Sequence, residues 1–178
     1  MVFAYDSEMA LQSAVELVNT DGNPDDLTSV ADLDEFYDRW RYTGRHERTS
    51  AEVTSVRALR PRLREVLTAD RDAAVKLVNA MLGEVRLRPE LVRHEEYDWH
   101  LHAVDNSAPL AERILVETVM AMVDVIRADE ISRLSVCADE SCGGIVLDLS
   151  RNRSRRYCST ACGNRNAVAA YRARQAGE

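Results

Sequence analysis

Four cysteines near the C-terminus are the residues of this chain best suited to chemistry. Their spacing is C-x4-C, a gap of 15 residues, then C-x3-C. Two close pairs separated by an insert of hairpin length suit a tetrahedral metal ion. Each pair supplies two ligands from one turn, and the insert lets the second pair fold back onto the first. The predicted ligands are Cys137, Cys142, Cys158 and Cys162.

Zn²⁺ is the metal that this donor set favours, because four sulfurs suit it better than they suit harder cations. Four protein ligands fill the coordination sphere and leave no position for a substrate water. The competing interpretations are an iron–sulfur cluster, a redox-active dithiol pair and four unrelated buried cysteines. Neither pair has the C-x-x-C spacing of a redox motif. The sequence therefore predicts one structural zinc ion.

The residues between and after the cysteines predict a treble-clef-like finger. Ile145–Leu149 has the pattern of a strand, residues 150–154 form the expected turn, and residues 155–157 are the expected return strand. Ser159 can cap a helix that carries Cys162. A knuckle, a hairpin and a helix bearing the last ligand make up the treble-clef arrangement.

Arginine residues surround the cysteines and make this end of the chain basic. Residues 133–178 carry 8 basic and 4 acidic residues, whereas residues 1–132 carry 15 basic and 26 acidic residues. An acidic body with a basic end is expected when that end meets a polyanion. Arginine binds phosphate and guanine in bidentate fashion, so DNA is the predicted partner. The candidate DNA-binding residues are Arg151, Arg153, Arg155, Arg156, Arg165, Arg172 and Arg174.

Other interpretations of this basic end stay open. Arg155 or Arg165 can instead brace the finger by bonding carbonyl groups or the acidic body. Asn164 is better explained as a cap or turn residue than as a base reader. A single finger is also a small footprint for a specific site, so DNA binding would imply a homodimer or a protein partner.

Residues 1–132 predict a mainly α-helical domain with a small antiparallel sheet. Ser7 and Asp70 are the expected caps of two helices, and Gly83 is the expected end of one. Pro61 is expected to kink or split another helix. Apolar residues recur at helical spacing over residues 7–19, 27–40, 50–67, 70–82 and 109–128. A short linking helix is expected over residues 129–134.

Between residues 85 and 103 the apolar pattern changes to strand-like alternation, which predicts a small antiparallel meander. Trp99, Leu101 and Ala103 fall on one face, and His100 and His102 fall on the other.

These two histidines are candidate ligand-binding residues, because with an acidic neighbour such as Glu95, Glu96 or Asp98 they could hold a second metal. The alternative is a solvated strand face with titrating histidines. Asn19, at the end of the first helical segment, is either a cap or part of a pocket.

The body shows no catalytic signature such as a phosphate loop, a nucleophile elbow or H-E-x-x-H, so we do not expect an enzyme. No apolar run approaches the roughly 18 residues of a membrane span. The N-terminal residues lack the basic and apolar regions of a signal peptide. We therefore expect a cytoplasmic location, where clustered cysteines are more often metal ligands than disulfides.

Several motifs resemble a known pair of domains. The sequence C-G-N-R occurs at Cys162–Arg165. The preceding segment, Ser154–Ser159, resembles the S-R-R-[WY]-C-S that stands before this motif in CGNR zinc fingers. The later segment, Ala169–Arg174, is similar to the A-x-Y-R-A-R ending of that family. Leu11–Thr20 resembles the L-x-F-V-N-T opening of the ABATE domain, which usually precedes this finger. Val78–Ala80 and Leu87–Leu91 are similar as well.

The resemblance implies a mostly helical domain with a small sheet over residues 1–132, followed by a zinc finger over residues 133–178. It also implies a bacterial transcription regulator, linked to stress, whose N-terminal domain senses a small molecule or stress signal. A zinc-stabilised protein-interaction module without direct DNA binding is the alternative.

Overall fold

Seven helices and two small sheets make up the described part of the chain, residues 2–22, 24–94 and 97–176, in a computed structural model. The predicted fold class, mainly α with a small antiparallel sheet and a C-terminal cysteine cluster, is confirmed. The helices are α1 Tyr5–Asn19, α2 Val30–Arg39, α3 Ser50–Arg57, α4 Arg60–Thr68, α5 Arg71–Glu84, α6 Leu110–Arg127 and α7 Thr160–Ala176. The strands are β1 Glu90–His94, β2 Tyr97–His102, β3 Leu134–Val136 and β4 Ile145–Leu147.

Two of the predicted helices, α2 and α5, begin directly after a residue whose side chain caps the helix. The Ser29 hydroxyl accepts from the Asp32 amide at 3.2 Å, and the Asp32 carboxylate accepts from the Ser29 amide at 2.8 Å, which forms a capping box at α2. The Asp70 carboxylate accepts from the Ala73 amide at 2.8 Å and caps α5. These contacts satisfy amides that a helix otherwise leaves without partners.

Two predicted helix boundaries are wrong. Ser7 lies inside α1, where its hydroxyl donates to the Asp124 carboxylate at 2.5 Å, so it ties α1 to α6 instead of capping. Gly83 lies within α5, which runs on to Glu84. Glycine ends a helix when it takes a left-handed conformation, and Gly83 does not have a positive φ.

Pro61 splits the predicted helix of residues 50–67 into α3 and α4. The proline lies in the first turn of α4, where its missing N–H leaves no helical hydrogen bond unmade. The linking segment after α6 forms a short 3₁₀ turn, Ile131–Arg133, in place of the longer helix expected over residues 129–134.

The main core forms where α1, α4 and α6 pack together. The buried stripe predicted for α6 is found, with Val123 and Ile126 at its edge as partly buried residues. Burying one such side chain contributes about 1.5–3 kcal/mol to the stability of the body. Fully buried members of the core from these three helices are Leu11, Leu17, Val18, Leu63, Val66, Leu110, Ile114 and Met122.

The predicted meander is a two-stranded hairpin of β1 and β2, with Leu91 opposite Leu101. Residues 85–88 do not form a third strand, although the Arg88 amide donates to the Ala103 carbonyl at 2.8 Å. Pro89 follows directly, and because it has no N–H it cannot extend this pairing.

The second sheet joins the cysteine region to the body. The predicted return strand of residues 155–157 is wrong, because β4 pairs instead with β3, and Ser135 lies opposite Val146. All three residues of β4 are buried. Ile145 and Leu147 belong to the main core, whereas Val146 packs among the cysteines. A strand that is buried on both faces needs apolar side chains at successive positions, which explains the sequence Ile-Val-Leu.

None of the helices in the described residues is long and apolar enough to cross a membrane.

Candidate metal centre, arginine residues and cavity

The four cysteine sulfurs converge on one point. Cys137 follows β3, Cys142 lies in the turn before β4, and Cys158 and Cys162 flank the start of α7. All four sulfurs lie within 4.8 Å of one another. The Cys142–Cys158 and Cys158–Cys162 distances are 3.6 and 3.8 Å. A tetrahedral ion with Zn–S bonds of about 2.3 Å requires sulfur separations of about 3.8 Å, so this donor set fits zinc.

Backbone amides surround the cluster and favour thiolates. The Gly144 amide donates to the Cys142 sulfur and the Cys158 amide donates to the Cys137 sulfur, each at 3.4 Å. A Cβ atom at Gly144 would lie 2.9 Å from the Cys158 sulfur and 3.3 Å from the Cys142 sulfur. Glycine is therefore required here for close approach of the backbone to the sulfurs.

Ser159 caps the helix that carries the last cysteine, as predicted. Its hydroxyl accepts from the Cys162 amide at 3.2 Å. This contact fixes the first turn of α7 and therefore the position of the Cys162 sulfur.

Arg165 supports the cluster from outside. Its Nη2 donates to the Cys162 sulfur at 3.3 Å and its Nε donates to Asp139 at 2.7 Å. Asp139 is only 4% exposed. Hydrogen bonds from Ser141 and then from Arg165 lower the pKa of the Asp139 carboxyl to about 2. The same contact with Asp139 raises the pKa of Arg165, so this pair stays ionised and supports the bracing interpretation of Arg165.

Two more of the candidate arginines also bond to the protein. Arg153, whose φ of 47° is left-handed, donates to Ser132 at 2.9 Å and to Glu130 at 2.7 Å. Arg155 donates to the Cys158 carbonyl at 3.1 Å, and its amide donates to Asp148 at 2.7 Å. Burial opposes ionisation of Asp148, but hydrogen bonds from Ser150 and Arg155 lower its pKa.

The other four candidate arginines are exposed, and in the described residues their side chains form no hydrogen bond or ion pair. We call them the free arginines: Arg151, Arg156, Arg172 and Arg174. Two of them lie in the second half of α7. Within its described residues, only Cys162 of α7 is buried, so most of this helix is open to a partner.

Asn19 links the body to the finger. Its Nδ2 donates to the Ile145 carbonyl at 2.9 Å, and its Oδ1 accepts from the Ile145 amide at 2.6 Å. Asn19 also borders a small cavity of about 310 Å³, but its amide is occupied by β4. Arg64 adds a contact to the Gly143 carbonyl at 2.6 Å. Neither link was predicted, because the partners lie far apart in sequence.

His100 and His102 line a larger cavity of about 820 Å³ between α1, α6, β2 and the segment after α2. Their Nε2 atoms lie 3.1 Å apart. Among the described residues, the only group of three or more metal-ligating side chains is the cysteine cluster. Glu95, Glu96 and the side chain of Asp98, the acidic neighbours considered for a second metal, lie outside what the structure describes.

Sequence analysis did not identify Glu117, which also lines this cavity. A signal was present, because Glu117 falls on the same stripe of α6 as Leu110, Ile114 and Ala121, which are all buried. A charged residue at helical spacing within an apolar stripe is a candidate functional group.

The fold and the metal centre place this protein in the class that joins a helical domain to a four-cysteine zinc finger. Residues 133–175 match the CGNR zinc finger family. Residues 11–129 match the ABATE family, whose description is "putative stress-induced transcription regulator". The chain therefore belongs to the ABATE family and carries a CGNR zinc finger with one structural zinc site. None of the curated proteins matches the chain.

Proposed function

We propose that this protein is a transcription regulator, and not an enzyme, whose zinc-loaded finger binds DNA through the free arginines. The observation that carries the proposal is the division among the seven candidate arginines. Three of them bond to other residues of the protein, whereas four are exposed and have no partner among the residues that the structure describes. Unpaired arginines on a metal-stabilised scaffold can each neutralise a DNA phosphate without first breaking a bond to the protein.

Helix α7 supports the same function. The helix is 17 residues long, and little of its surface packs against the rest of the protein. A helix of this size fits the major groove of B-DNA. Arg165, Val168 and Arg172 follow helical spacing along one side. Because Arg165 is bonded to Asp139, Arg172 is the better candidate for a contact with DNA.

The N-terminal domain is proposed to sense a small molecule or a stress signal in the cytoplasm. Helix α1 supports this role because it contacts both regions. Residues of α1 between Tyr5 and Ser13 line the 820 Å³ cavity. Its last residue, Asn19, bonds to β4 of the finger. A ligand that shifts α1 would therefore change how the finger is held.

The test is binding of the zinc-loaded protein to a random duplex, followed by fluorescence anisotropy. The variant R151A/R156A/R172A/R174A should bind at least tenfold more weakly than the wild type. The matched control R62A/R71A/R86A/R88A removes the same charge from the body and should change affinity less than threefold. Equal losses in the two variants would indicate a nonspecific charge effect and contradict the proposal.

A protein-interaction role is the second candidate, and α7 provides the observation that favours it. Val168 is 48% exposed and Tyr171 is 58% exposed. Exposed apolar residues on a projecting helix are typical of a surface that meets another protein or a second copy. Under this alternative, the four-arginine variant would bind duplex DNA as the wild type does, and V168A/Y171A would lose the protein partner.

A further inference from the structure

The 820 Å³ cavity is lined by polar and apolar groups from four parts of the body. Its volume lies within the range of roughly 300–1,000 Å³ that is typical of small-molecule sites. The walls come from α1, the β1–β2 hairpin, α6 and the segment around Trp40 and Thr43. Because these elements meet only in the folded body, the chemistry of the cavity depends on which side chains they bring together.

The Glu117 carboxyl is a charged group of this cavity that has no hydrogen-bonding partner in the described residues. No hydrogen bond or ion pair of Glu117 is found among the described residues. Burial raises the pKa of this carboxyl to about 7, although Arg113 opposes the effect. A partly buried carboxylate without a partner is unfavourable, and a ligand that donates to it would remove that penalty.

Arg113 lowers the pKa of Glu117 by charge attraction, but within the described residues no hydrogen bond or ion pair joins the two side chains. The Arg113 guanidinium donates to the carbonyls of Ala108, Thr43 and Arg45, so its hydrogen-bonding capacity is directed to the backbone. The Arg113 side chain therefore fixes the loop after α2, and the Glu117 carboxylate remains available to an incoming group.

Two further carboxylates add negative charge to the cavity. Asp6 accepts from the Leu101 amide at 3.2 Å, and Asp124 accepts from the Ser7 hydroxyl at 2.5 Å. Neither carboxylate forms an ion pair within the described chain. The arginines that border the cavity are exposed, and one of them, Arg93, lies over the Trp99 ring at 5.5 Å. Arg41, Arg93 and Arg127 match the three carboxylates in number, but they are exposed to solvent, so a cation is favoured specifically beside the more buried Glu117 carboxylate.

The remaining lining suits an apolar ligand body. Methionine side chains adapt to irregular ligands, and aromatic faces attract organic cations. The apolar and aromatic lining includes Tyr5, Met9, Ala10, Trp40, Met120 and Ala121.

We infer that the cavity binds a small organic amine, whose ammonium group pairs with Glu117 and whose apolar body lies against the methionine and aromatic side chains. The amine would be the small molecule that the N-terminal domain senses, so this assignment rests on the proposed function. It makes Glu117 the specificity-determining residue, because a neutral or anionic analogue of the same shape cannot form this ion pair.

The experiment compares three probes of one shape at pH 8: phenethylamine, 2-phenylethanol and phenylacetate. Binding is measured by the shift in melting temperature and by amide NMR titration of the zinc-loaded protein. Phenethylamine should raise the melting temperature and perturb amides of α1, β2 and α6. The alcohol and the carboxylate should bind at least tenfold more weakly than the amine.

The variant E117Q keeps the shape of the side chain and should reduce phenethylamine affinity at least tenfold. Glu112 lies on α6 outside the cavity, so E112Q is the matched control and should bind as the wild type does. The NMR titration of the wild type tests the site independently of how well E117Q folds. Failure of the amine to bind, equal binding of the alcohol, or undiminished binding to E117Q would overturn the assignment.

This experiment contains no DNA, so its result is separate from the DNA test. Amine binding without DNA binding would leave the cavity assignment standing and contradict the proposed regulator. DNA binding without amine binding would support the proposed regulator and contradict the cavity assignment.

Discussion

The body and the finger of this protein are stabilised in different ways. The body buries large apolar side chains from α1, α4 and α6 in one core. Beyond Leu147, by contrast, Cys162 is the only buried hydrophobic residue in the described part of the chain. Hydrophobic burial therefore holds the first region, and metal–sulfur bonds hold the second. The finger can present an exposed helix because it does not need that helix for a core.

Of the changes considered, metal removal should have the largest effect, because it should disorder the finger and leave the body folded. Zinc contributes roughly 10–16 kcal/mol to small finger peptides at neutral pH, whereas residues 150–176 are otherwise held mainly by exposed hydrogen bonds such as those of Arg153 and Arg155. In a hydrogen-exchange experiment, the chelator-treated protein should lose amide protection at Cys158 and over the first turn of α7. Protection in α1 and α6 should persist.

The variant C158S should reproduce this pattern when zinc is present. A chelated protein that keeps its protection around Cys158 would show that the metal is not the source of order there. Unfolding of α1 and α6 at the same time would show that the two regions are not stabilised separately.

The next effect concerns Glu117 in the body. Its pKa is raised from 4.5 to about 7, so the folded state binds a proton that the unfolded state has released across this window. Stability should therefore fall as the pH rises from about 4.5 to 7, by about 3 kcal/mol at roughly 1.4 kcal/mol per pH unit.

Urea denaturation of wild type and E117Q at pH 5 and pH 8 isolates this contribution from those of the other titrating groups. E117Q should lose less stability between the two pH values than the wild type loses, and E112Q should behave like the wild type. A pH dependence that is the same in E117Q would contradict the burial of this carboxyl.

The contact between the two regions should have a smaller effect. The variant N19A removes both hydrogen bonds to Ile145 and should lower the free energy of unfolding by about 2 kcal/mol, because it leaves buried backbone groups without partners. Asn164 is exposed on α7, so N164A should change stability by about 0.5 kcal/mol or less. Equal stabilities of the two variants in urea denaturation would show that Asn19 does not couple the regions.

Local sequence signals predicted much of the molecule. The cysteine spacing predicted the metal cluster, helical periodicity predicted the buried stripe of α6, and Asp70 and Ser159 marked helix starts. Each of these signals depends on residues close in the chain. The fold class and the zinc site follow directly from them.

Contacts between distant residues could not be predicted in the same way. The apolar run of residues 145–147 is compatible with either neighbouring segment as a strand partner, and the pairing with β3 is seen only in the folded structure. The bonds of Arg153 to Glu130 and of Asn19 to Ile145 depend on the packed structure. The division between bracing and free arginines therefore depends on the folded structure and not on local sequence.

The most direct test of the proposed role is the salt dependence of DNA binding by the zinc-loaded protein. If the four free arginines each neutralise one phosphate, the logarithm of the association constant should fall with the logarithm of salt concentration with a slope of about −3.6. The slope should approach zero in R151A/R156A/R172A/R174A. A flat salt response in the wild type, or an unchanged slope in the variant, would contradict DNA binding by this finger.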